Sequence, residues 1–432
     1  MPLRVIIVGA GIAGLCAAVS MRRAGWNVVI FEKSAFAAET GAALALSPNG
    51  VRVLQRLGFS FEHARACEVT AWDTIDGENF STLASVDFTK SRQMFGAPGY
   101  TVHRVDLHNE LLRLATGPSD GSVDGKPADL RLGSRVVSAT PDGTVVLEDG
   151  SSHTADLVVA ADGLRSVLRD PVLGAEKEIK PYHSGSAAFR FLVDTEEFKK
   201  DPVLAELLEN KQGHATILVD TKDKLERHMI WYSCRGGEVQ NFVGIHPSQA
   251  DMIEEGEDAK SQMKKEFAHF HEHITRIFGL AEHVRCWPLL IQEPFPTWLR
   301  GRLVLIGDAA HPMLPFGGQG ANMAVEDGGA LGFLFADITD ADQVEKRLPL
   351  YERVRKNRAS RVQILSSVRI HQEQKVEAKV RQYADSPDIL IPTSMRERTI
   401  HDYRQVSTRS DESGAPYTLG AGIVDTSILG TI

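Results

Sequence analysis

Apolar positions open the chain in two short blocks separated by glycines. Arg4–Val8 reads as a strand of mostly β-branched residues, and Ile12–Ala24 as a helix of good helix formers that Gly25 stops. Val28–Phe31 is a second β-branched strand, which completes one strand–helix–strand unit at the start of the chain. Ser47-Pro48 supplies an N-cap and a first helical position for a helix running to about Leu57, and a further amphipathic helix is predicted over Val105–Ala115. Between 131 and 163 the pattern changes to short strands, Arg135–Ala139, Thr144–Leu147 and Leu157–Ala161, divided by Pro141-Asp142-Gly143 and Glu148-Asp149-Gly150.

Four more strands are predicted from about 183 to 247: Ser186–Val193, Ala215–Val219, His228–Cys234 and Asn241–Ile245. Their connections are polar and glycine-containing, including Gly236-Gly237, which points to an antiparallel sheet and a second domain. Residues 252–283 read as charged and helical, Leu303–Ile306 as a buried strand, and a helix starts near Gly320. A long charged helical region over about 343–382 follows, which Pro349 should interrupt. The last thirty or so residues, rich in Ser, Thr, Gly and Arg, read as loop or tail.

Composition narrows the partners. At 432 residues the chain can build two or three cooperating domains, and 43% apolar with 24% charged residues is ordinary for a globular enzyme. A net charge of −9 and the lack of any positive block argue against a nucleic acid or an anionic membrane surface. No run of eighteen apolar residues predicts an integral membrane helix, and the glycines at 9, 11 and 14 make the N-terminus a strand and helix instead of a signal peptide. Cys16, Cys67, Cys234 and Cys286 form no C-x-x-C pair, so neither a disulfide framework nor a zinc site is expected. They read as small buried residues in a reducing, cytoplasmic setting.

Three motifs carry chemistry. In Gly9-Ala10-Gly11-Ile12-Ala13-Gly14, directly after a strand and opening a helix, Gly9 permits the tight turn, Gly11 lets a pyrophosphate approach the backbone, and Gly14 lets helix and strand pack. The helix start offers free N–H groups to phosphates. Glu32, 18 residues after Gly14, can accept both ribose hydroxyls, which favours FAD or NAD over NADP. Gly420-Ala421-Gly422 imitates half of this motif without the strand or third glycine and reads as loop. The second motif, Gly301 to Pro312, delivers Asp308 at the end of a strand, placed to bind a polyol hydroxyl such as the ribityl chain of FAD. Gly317-Gly318-Gln319-Gly320 then opens a helix. The third, Val158 to Ser166, is an apolar strand ending in Asp162-Gly163, by itself only a turn.

In this order the three segments resemble the group A aromatic flavoprotein hydroxylases, the salicylate- and p-hydroxybenzoate-hydroxylase-like family and especially its fungal members, over about residues 3–370. The resemblance implies an α/β fold: a Rossmann-type, glutathione-reductase-like FAD-binding domain (1–75, 100–180 and 285–340), an antiparallel-sheet substrate domain (76–99 and 181–284), a helical region (341–385) and a tail (386–432). It implies a joint FAD and NAD(P)H role for Asp162 and Gly163, ribityl binding by Asp308, and a ribityl or phosphate contact by Arg104. The Val136 backbone would lie near the adenine, with Gly320, Ala321 and Asn322 beside the isoalloxazine ring and Pro315 bordering its oxygen-reactive C4a side. Lys33 and Ala43 join Gly9, Gly11, Ile12, Ala13, Gly14 and Glu32 as cofactor-binding residues. No second dinucleotide motif exists, which the family explains by transient binding of NADH or NADPH.

The implied reaction is hydroxylation of a small electron-rich, phenolic substrate by O2 through a flavin C4a-hydroperoxide. Arg190 shares its strand face with Ala188 and Leu192 and needs a partner; the resemblance makes it the group that places a phenolate or the flavin, the other reading being a paired or solvent-reaching arginine. Tyr232 is a candidate pocket residue or ordinary sheet packing, and His183, His214 and His311 read as structural. Met313, Leu314 and Phe316 offer a water-excluding wall. Oxygenation of an indole or other alkaloid, an FAD oxidase or dehydrogenase without oxygen insertion, and a flavin-free NAD module are the competing readings.

Overall fold

Two large sheets of opposite character, beside three small ones of two or three strands, carry the fold, and the chain crosses between the large ones repeatedly. The structure, a computed structural model, describes residues 2–35, 42–119, 121, 124–174, 181–223, 226–248, 258–369, 372–385, 391–392, 395–403, 408–410 and 416–418. The chain begins with Arg4–Val8 (β1), Ile12–Arg23 (α1) and Asn27–Phe31 (β2). β1 and β2 pair in parallel, Val8 beside Phe31, and burial on both faces explains their unbroken apolar runs. Ala43–Leu46 (β3) and Pro48–Arg56 (α2) follow. Ser47 holds the N-cap position, but its hydroxyl accepts from Gln319 Nε2 (2.9 Å) instead of capping the helix.

The chain then leaves for the second sheet with the hairpin Ala71–Asp76 (β4) and Thr82–Asp87 (β5). It returns through Arg104–Thr116 (α3), Asp129–Arg131 (β6), a meander over 136–154 and Leu157–Ala160 (β7). Tyr182–Asp194 (β8), His214–Val219 (β9), His228–Cys234 (β10), Val239–Pro247 (β11) and Glu282–Ile291 (β12) complete the second sheet. Leu299–Arg300 (β13), Leu303–Leu305 (β14), Gly320–Leu334 (α4), Asp342–Leu365 (α5) and Met395–Tyr403 (α6) end the described chain apart from two short strands beyond 407.

The first sheet has the order β13-β14-β7-β1-β2-β6, parallel except for its β13 edge. The second has the order β12-β8-β11-β10-β9-β4-β5. Every pair in it is antiparallel but one: β4 runs parallel to β9, which the four-strand expectation did not include. β4 and β12 lie in this sheet although their residues fall mostly inside the predicted 1–75 and 285–340 segments, so the sheet divides the chain nearer 70 and 291. Pro349 does not interrupt its helix: α5 runs through it, held by buried Leu348, Tyr351 and Arg355. Within 252–283 the helices are short, Ala259–Glu266 and Glu272–Leu280, with 252–257 outside the described residues. α6 corrects the expected tail, while Gly420 to Gly422 lie outside the described residues.

Each sheet has its own core. One packs β1, β7 and β14 against α1 and α4; the other lies under the second sheet, where Phe189, Phe191, Trp231 and Phe242 meet Phe198, Phe267 and Phe278. Because side chains alternate along β8, Phe189, Phe191 and Val193 fill that core while Ala188, Arg190 and Leu192 face the other way.

Candidate active site

The three motifs converge at the carboxyl ends of adjacent strands. Val8 pairs with Ala160, and Ala160 with Leu305, so Gly9, Asp162 and Asp308 leave the sheet side by side. Gly9 has φ +102°, and a Cβ there would lie 2.5 Å from Ala161 O; one on Gly14 would lie 2.0 Å from Gly9 O. These two positions are closed to side chains by the protein itself. Gly11 differs: a Cβ there meets nothing within 4 Å, so the fold alone does not demand glycine. An open cradle at the start of α1, whose first main-chain bond runs from Leu15 N to Gly11 O (2.9 Å), fits a pyrophosphate. Glu32 is buried; its two carboxylate oxygens accept from Ala10 N and Ser34 N (both 2.8 Å) and keep lone pairs for ribose hydroxyls. Lys33 is exposed beside it, and the buried Val136 begins the meander just after Ser134, whose N–H donates to Glu32 O (2.8 Å). Ile12 and Ala13 form the first turn of α1, and Gly307 at φ +57° presses against Ala13, where a Cβ would come within 2.7 Å.

Asp162 Oδ2 accepts from Val167 N (2.8 Å) and Leu168 N (3.3 Å), whereas Oδ1 is buried with no hydrogen-bond partner among the described residues. Burial pushes this carboxyl above its ordinary range. Asp308 touches solvent at its surface yet is surrounded by protein mass. That desolvation pushes its carboxyl up, with His311, Arg104 and Arg169 pulling the other way. Arg169 has no signal in the sequence beyond its nearness to Asp162-Gly163, but it ties two motifs together. It donates to Leu164 O (3.1 Å), Asp308 O (3.2 Å) and Ala309 O (3.1 Å), with its guanidinium 4.8 Å over the Phe295 ring. Gly163 lies beside it at φ +81°. Arg104 begins α3 as an exposed residue whose charge acts on both Asp308 and Arg190.

Pro315 opens a short turn and Gly320 and Ala321 start α4. The Asn322 side chain is already spent: Oδ1 accepts from Ser47 N (2.9 Å), and Nδ2 donates to Ala45 O (3.1 Å) and Gly318 O (3.0 Å). Only its main chain is left for a ring. Behind this loop sits a buried ionic network absent from the sequence expectations, its acids on the helix that starts at Gly320 and its arginines on the following charged helix. Arg355 bridges Glu326 and Asp327 (2.9 Å to Asp327 Oδ1), and Arg358 pairs with Glu326 (2.7 Å). Asp327 Oδ2 also accepts from Gly307 N (2.8 Å) and meets His311 Nε2 (2.5 Å). His311 is thereby a structural histidine that holds the Asp308 turn.

The second sheet presents the other wall. Arg190 makes no hydrogen bond or ion pair among the described residues, and its Nε is buried without an acceptor. Burial pulls its guanidinium below the ordinary range; Tyr232 counters this and Arg104 adds to it. Tyr232 is buried among Ala43, Ala215 and Cys234; burial pushes its phenol far up, with Arg190 opposing, so it stays protonated. Ala188, Val243, Ile245 and Leu289 pack with Leu314, and Phe316 leans on them, while Met313 packs against the first core. His183 Nδ1 accepts from its neighbour Gly185 N (3.0 Å), and His214 pairs with Asp73 (2.8 Å) toward the far edge of the sheet. All four cysteines are free, Cys16 and Cys234 buried and Cys67 and Cys286 half-buried. Among the described residues no group of His, Cys, Asp and Glu could hold a metal, and no helix is long and apolar enough to cross a membrane.

A parallel nucleotide-binding sheet whose glycine turn and two aspartate-tipped strands open toward a second, arginine-bearing sheet defines a two-domain flavoprotein. The open cradle at Gly11 and the orphaned Asp162 Oδ1 fit FAD. The chain belongs to the FAD-binding domain family, which it matches over residues 2–366. It is 38% identical to hispidin-3-hydroxylase of Neonothopanus nambi over 83% of this chain and 86% of that one. It is 32% identical to 6-hydroxynicotinate 3-monooxygenase of Bordetella bronchiseptica over 84% of this chain and 90% of that one. Its fold matches the crystal structure of Klebsiella pneumoniae HpxO complexed with FAD and uric acid at a TM-score of 0.72, with 24% identity and coverage of 88% and 92%. The protein is an FAD-dependent monooxygenase of the aromatic-hydroxylase type.

Proposed function

We propose that the protein consumes NADH or NADPH and O2 to hydroxylate a phenolic ring, with Arg190 binding the ionised substrate oxygen. The observation that carries this reading is the unpartnered Arg190, set on the sheet face that meets the flavin loop. A half-buried guanidinium whose Nε is shut off from water and which lacks a counter-charge favours a ligand that brings the negative charge. Reciprocally, the cation favours phenolate over phenol, which raises the electron density of the ring carbons ortho and para to the oxygen. A flavin held at the glycine turn and the two aspartates would supply O2 activation and the oxygen atom, while Arg190 would hold the ring that takes it.

The chain's own residues orient and shield. Leu314 and Phe316 close against Ala188, Val243 and Ile245 and keep water from the reacting atoms. Tyr232, held protonated beside Arg190, can donate to the same substrate oxygen. The names of the hispidin and 6-hydroxynicotinate oxygenating relatives support a substrate that takes a new oxygen on a ring.

Turnover under 18O2 tests the reading. One labelled oxygen should enter each product molecule, coupled to oxidation of one NADH or NADPH. Coupled turnover with unlabelled product would leave an oxidase and remove the oxygenation claim.

A further inference from the structure

Three donors on one face of the second sheet are buried with no acceptor among the described residues: Arg190 Nε, Asn241 Nδ2 and Trp72 Nε1. Strand register places them together. Arg190 stands opposite Val243, Asn241 opposite both Leu192 and Tyr232, and Trp72 opposite Ala215. Asn241 is 1% exposed, and its Oδ1 accepts from Ala43 N (3.1 Å), a bond that fixes which end of the amide is the donor left over. On the opposite face the indole of Trp231 donates to Gln240 (2.9 Å), while its register partner Thr216 keeps a buried hydroxyl without a partner among the described residues.

We propose that Asn241 and Trp72 bind substrate together with Arg190, and that the substrate is a polyoxygenated aromatic with acceptor oxygens on more than one ring. The proposal rests on the hydroxylase reading above. Arg190 on β8 and Trp72 on β4 are four strand spacings apart, roughly 19 Å at the backbone. A body longer than one hydroxylated ring spans that width, and its carbonyl, phenol or phenolate oxygens supply the acceptors that the three N–H groups lack. Asn241, one strand spacing from Arg190 and three from Trp72, fits an oxygen nearer the Arg190 end of the body. Ala43, Val69, Tyr232 and Leu192 give apolar support between the polar anchors.

The test uses the FAD-loaded protein and its Asn241→Asp and Trp72→Phe variants. Asn241→Asp keeps the oxygen that accepts from Ala43 and replaces the spare donor by an acceptor; Trp72→Phe keeps an aromatic ring and removes its N–H. Probes are the one-ring 4-hydroxybenzoate and catechol and the two-ring hispidin and resveratrol, read by flavin absorbance on binding and by KM and kcat for NAD(P)H oxidation. The unaltered enzyme should favour two-ring probes at least about ten-fold. Each variant should raise their KM about ten-fold with a smaller change in kcat and unchanged FAD content, and Trp72→Phe should leave one-ring probes unchanged. Equal or better binding of one-ring probes by the unaltered enzyme, unchanged KM in both variants, or loss of FAD in place of substrate affinity would overturn the assignment. Should Asn241→Asp not fold, Trp72→Phe alone decides by the same criterion. Purification of the unaltered protein without flavin would instead sink the underlying hydroxylase reading.

Discussion

The groove at the ends of β1, β7 and β14 is shaped by main chain, whereas the facing wall of the second sheet is shaped by side chains. Gly9, Gly14 and Gly307 allow backbone to meet backbone or helix at distances no side chain would permit, and helix starts supply the polar groups. Across the gap, Arg190, Asn241 and Trp72 offer unpaired side-chain donors set among apolar residues. A main-chain surface recognises what every cofactor molecule shares, while a side-chain surface can be changed one residue at a time without moving a strand. On the function proposed above, cofactor choice is built into the fold and substrate choice is laid over it.

The largest effect should come from filling the glycine turn. Gly9→Ala forces a methyl onto Ala161 O at a positive φ, and about 5 kcal/mol or more of stability should be lost in denaturant titration, with no flavin retained. Gly11→Ala separates fold from cofactor: its Cβ has room, so stability should stay within about 1 kcal/mol. Its bound FAD, read from the 450 nm absorbance, should nevertheless fall at least about ten-fold. A yellow, fully loaded Gly11→Ala protein would move the cofactor out of this groove.

Next in size is the ionic network behind the flavin loop. Burial alone would raise both carboxyls, but Arg358 and Arg355 outweigh it at Glu326, and His311 and Arg355 at Asp327, holding both below the usual carboxylate range. Arg355→Met removes the cation shared by the two buried carboxylates, leaving Glu326 to Arg358 and Asp327 to His311, and should cost about 3 kcal/mol at pH 7. Because the folded values are depressed, the stabilisation is fully present above the unfolded value of about 4 and fades as pH falls through the folded values. Arg355→Met should flatten the acid limb of a stability–pH curve. An unchanged acid limb would show that the network adds nothing to the loop it supports.

These two regions were unequally legible. The turn at Gly9 to Gly14, Glu32 and Asp308 could be read because each follows an apolar strand, and only a few residue types tolerate what the backbone does there. β4, β5 and β12 were missed: β5 and β12 are edge strands exposed along most of their length, so the alternation that marks a half-buried strand is blurred. Asn241 and Trp72 were missed for another reason. Which face of a strand looks into a pocket depends on its pairing, and residues 72 and 241 meet only through strands far away in sequence. Arg190 was singled out because an arginine between Ala188 and Leu192 is conspicuous locally, although its lack of a partner shows only in three dimensions. Glu326 and Asp327 illustrate the converse, since an acidic pair on a helix gives no hint that arginines from the next helix will bury it.

On the side-chain wall, Arg190→Met should lower kcat/KM for a phenolic substrate roughly 100-fold, the range expected from one lost hydrogen bond to a charged group, with FAD content unchanged. The loss should shrink as pH rises through the pKa of the free phenol, because the substrate then arrives already ionised. A loss independent of pH would assign Arg190 to the flavin instead and would blur the division between the two walls.

The smallest effect tests whether the far edge of the second sheet is independent of the pocket. Asp73 lies on β4 next to Trp72 in sequence but on the opposite face, where it binds Lys211 (2.6 Å), His214 (2.8 Å) and Ser85 (2.7 Å). Burial would raise its carboxyl, yet these three partners prevail and hold it at about 2. Its folded value is depressed, so its contribution is fully present above about pH 4 and is lost as pH falls through about 2. Asp73→Asn should cost about 1–2 kcal/mol at pH 7 and progressively less as pH falls through about 2, with kcat, KM and FAD content unchanged. A matching fall in substrate affinity would mean that the strand carries strain from one face to the other, and the second sheet would then have to be treated as a single unit with the site it lines.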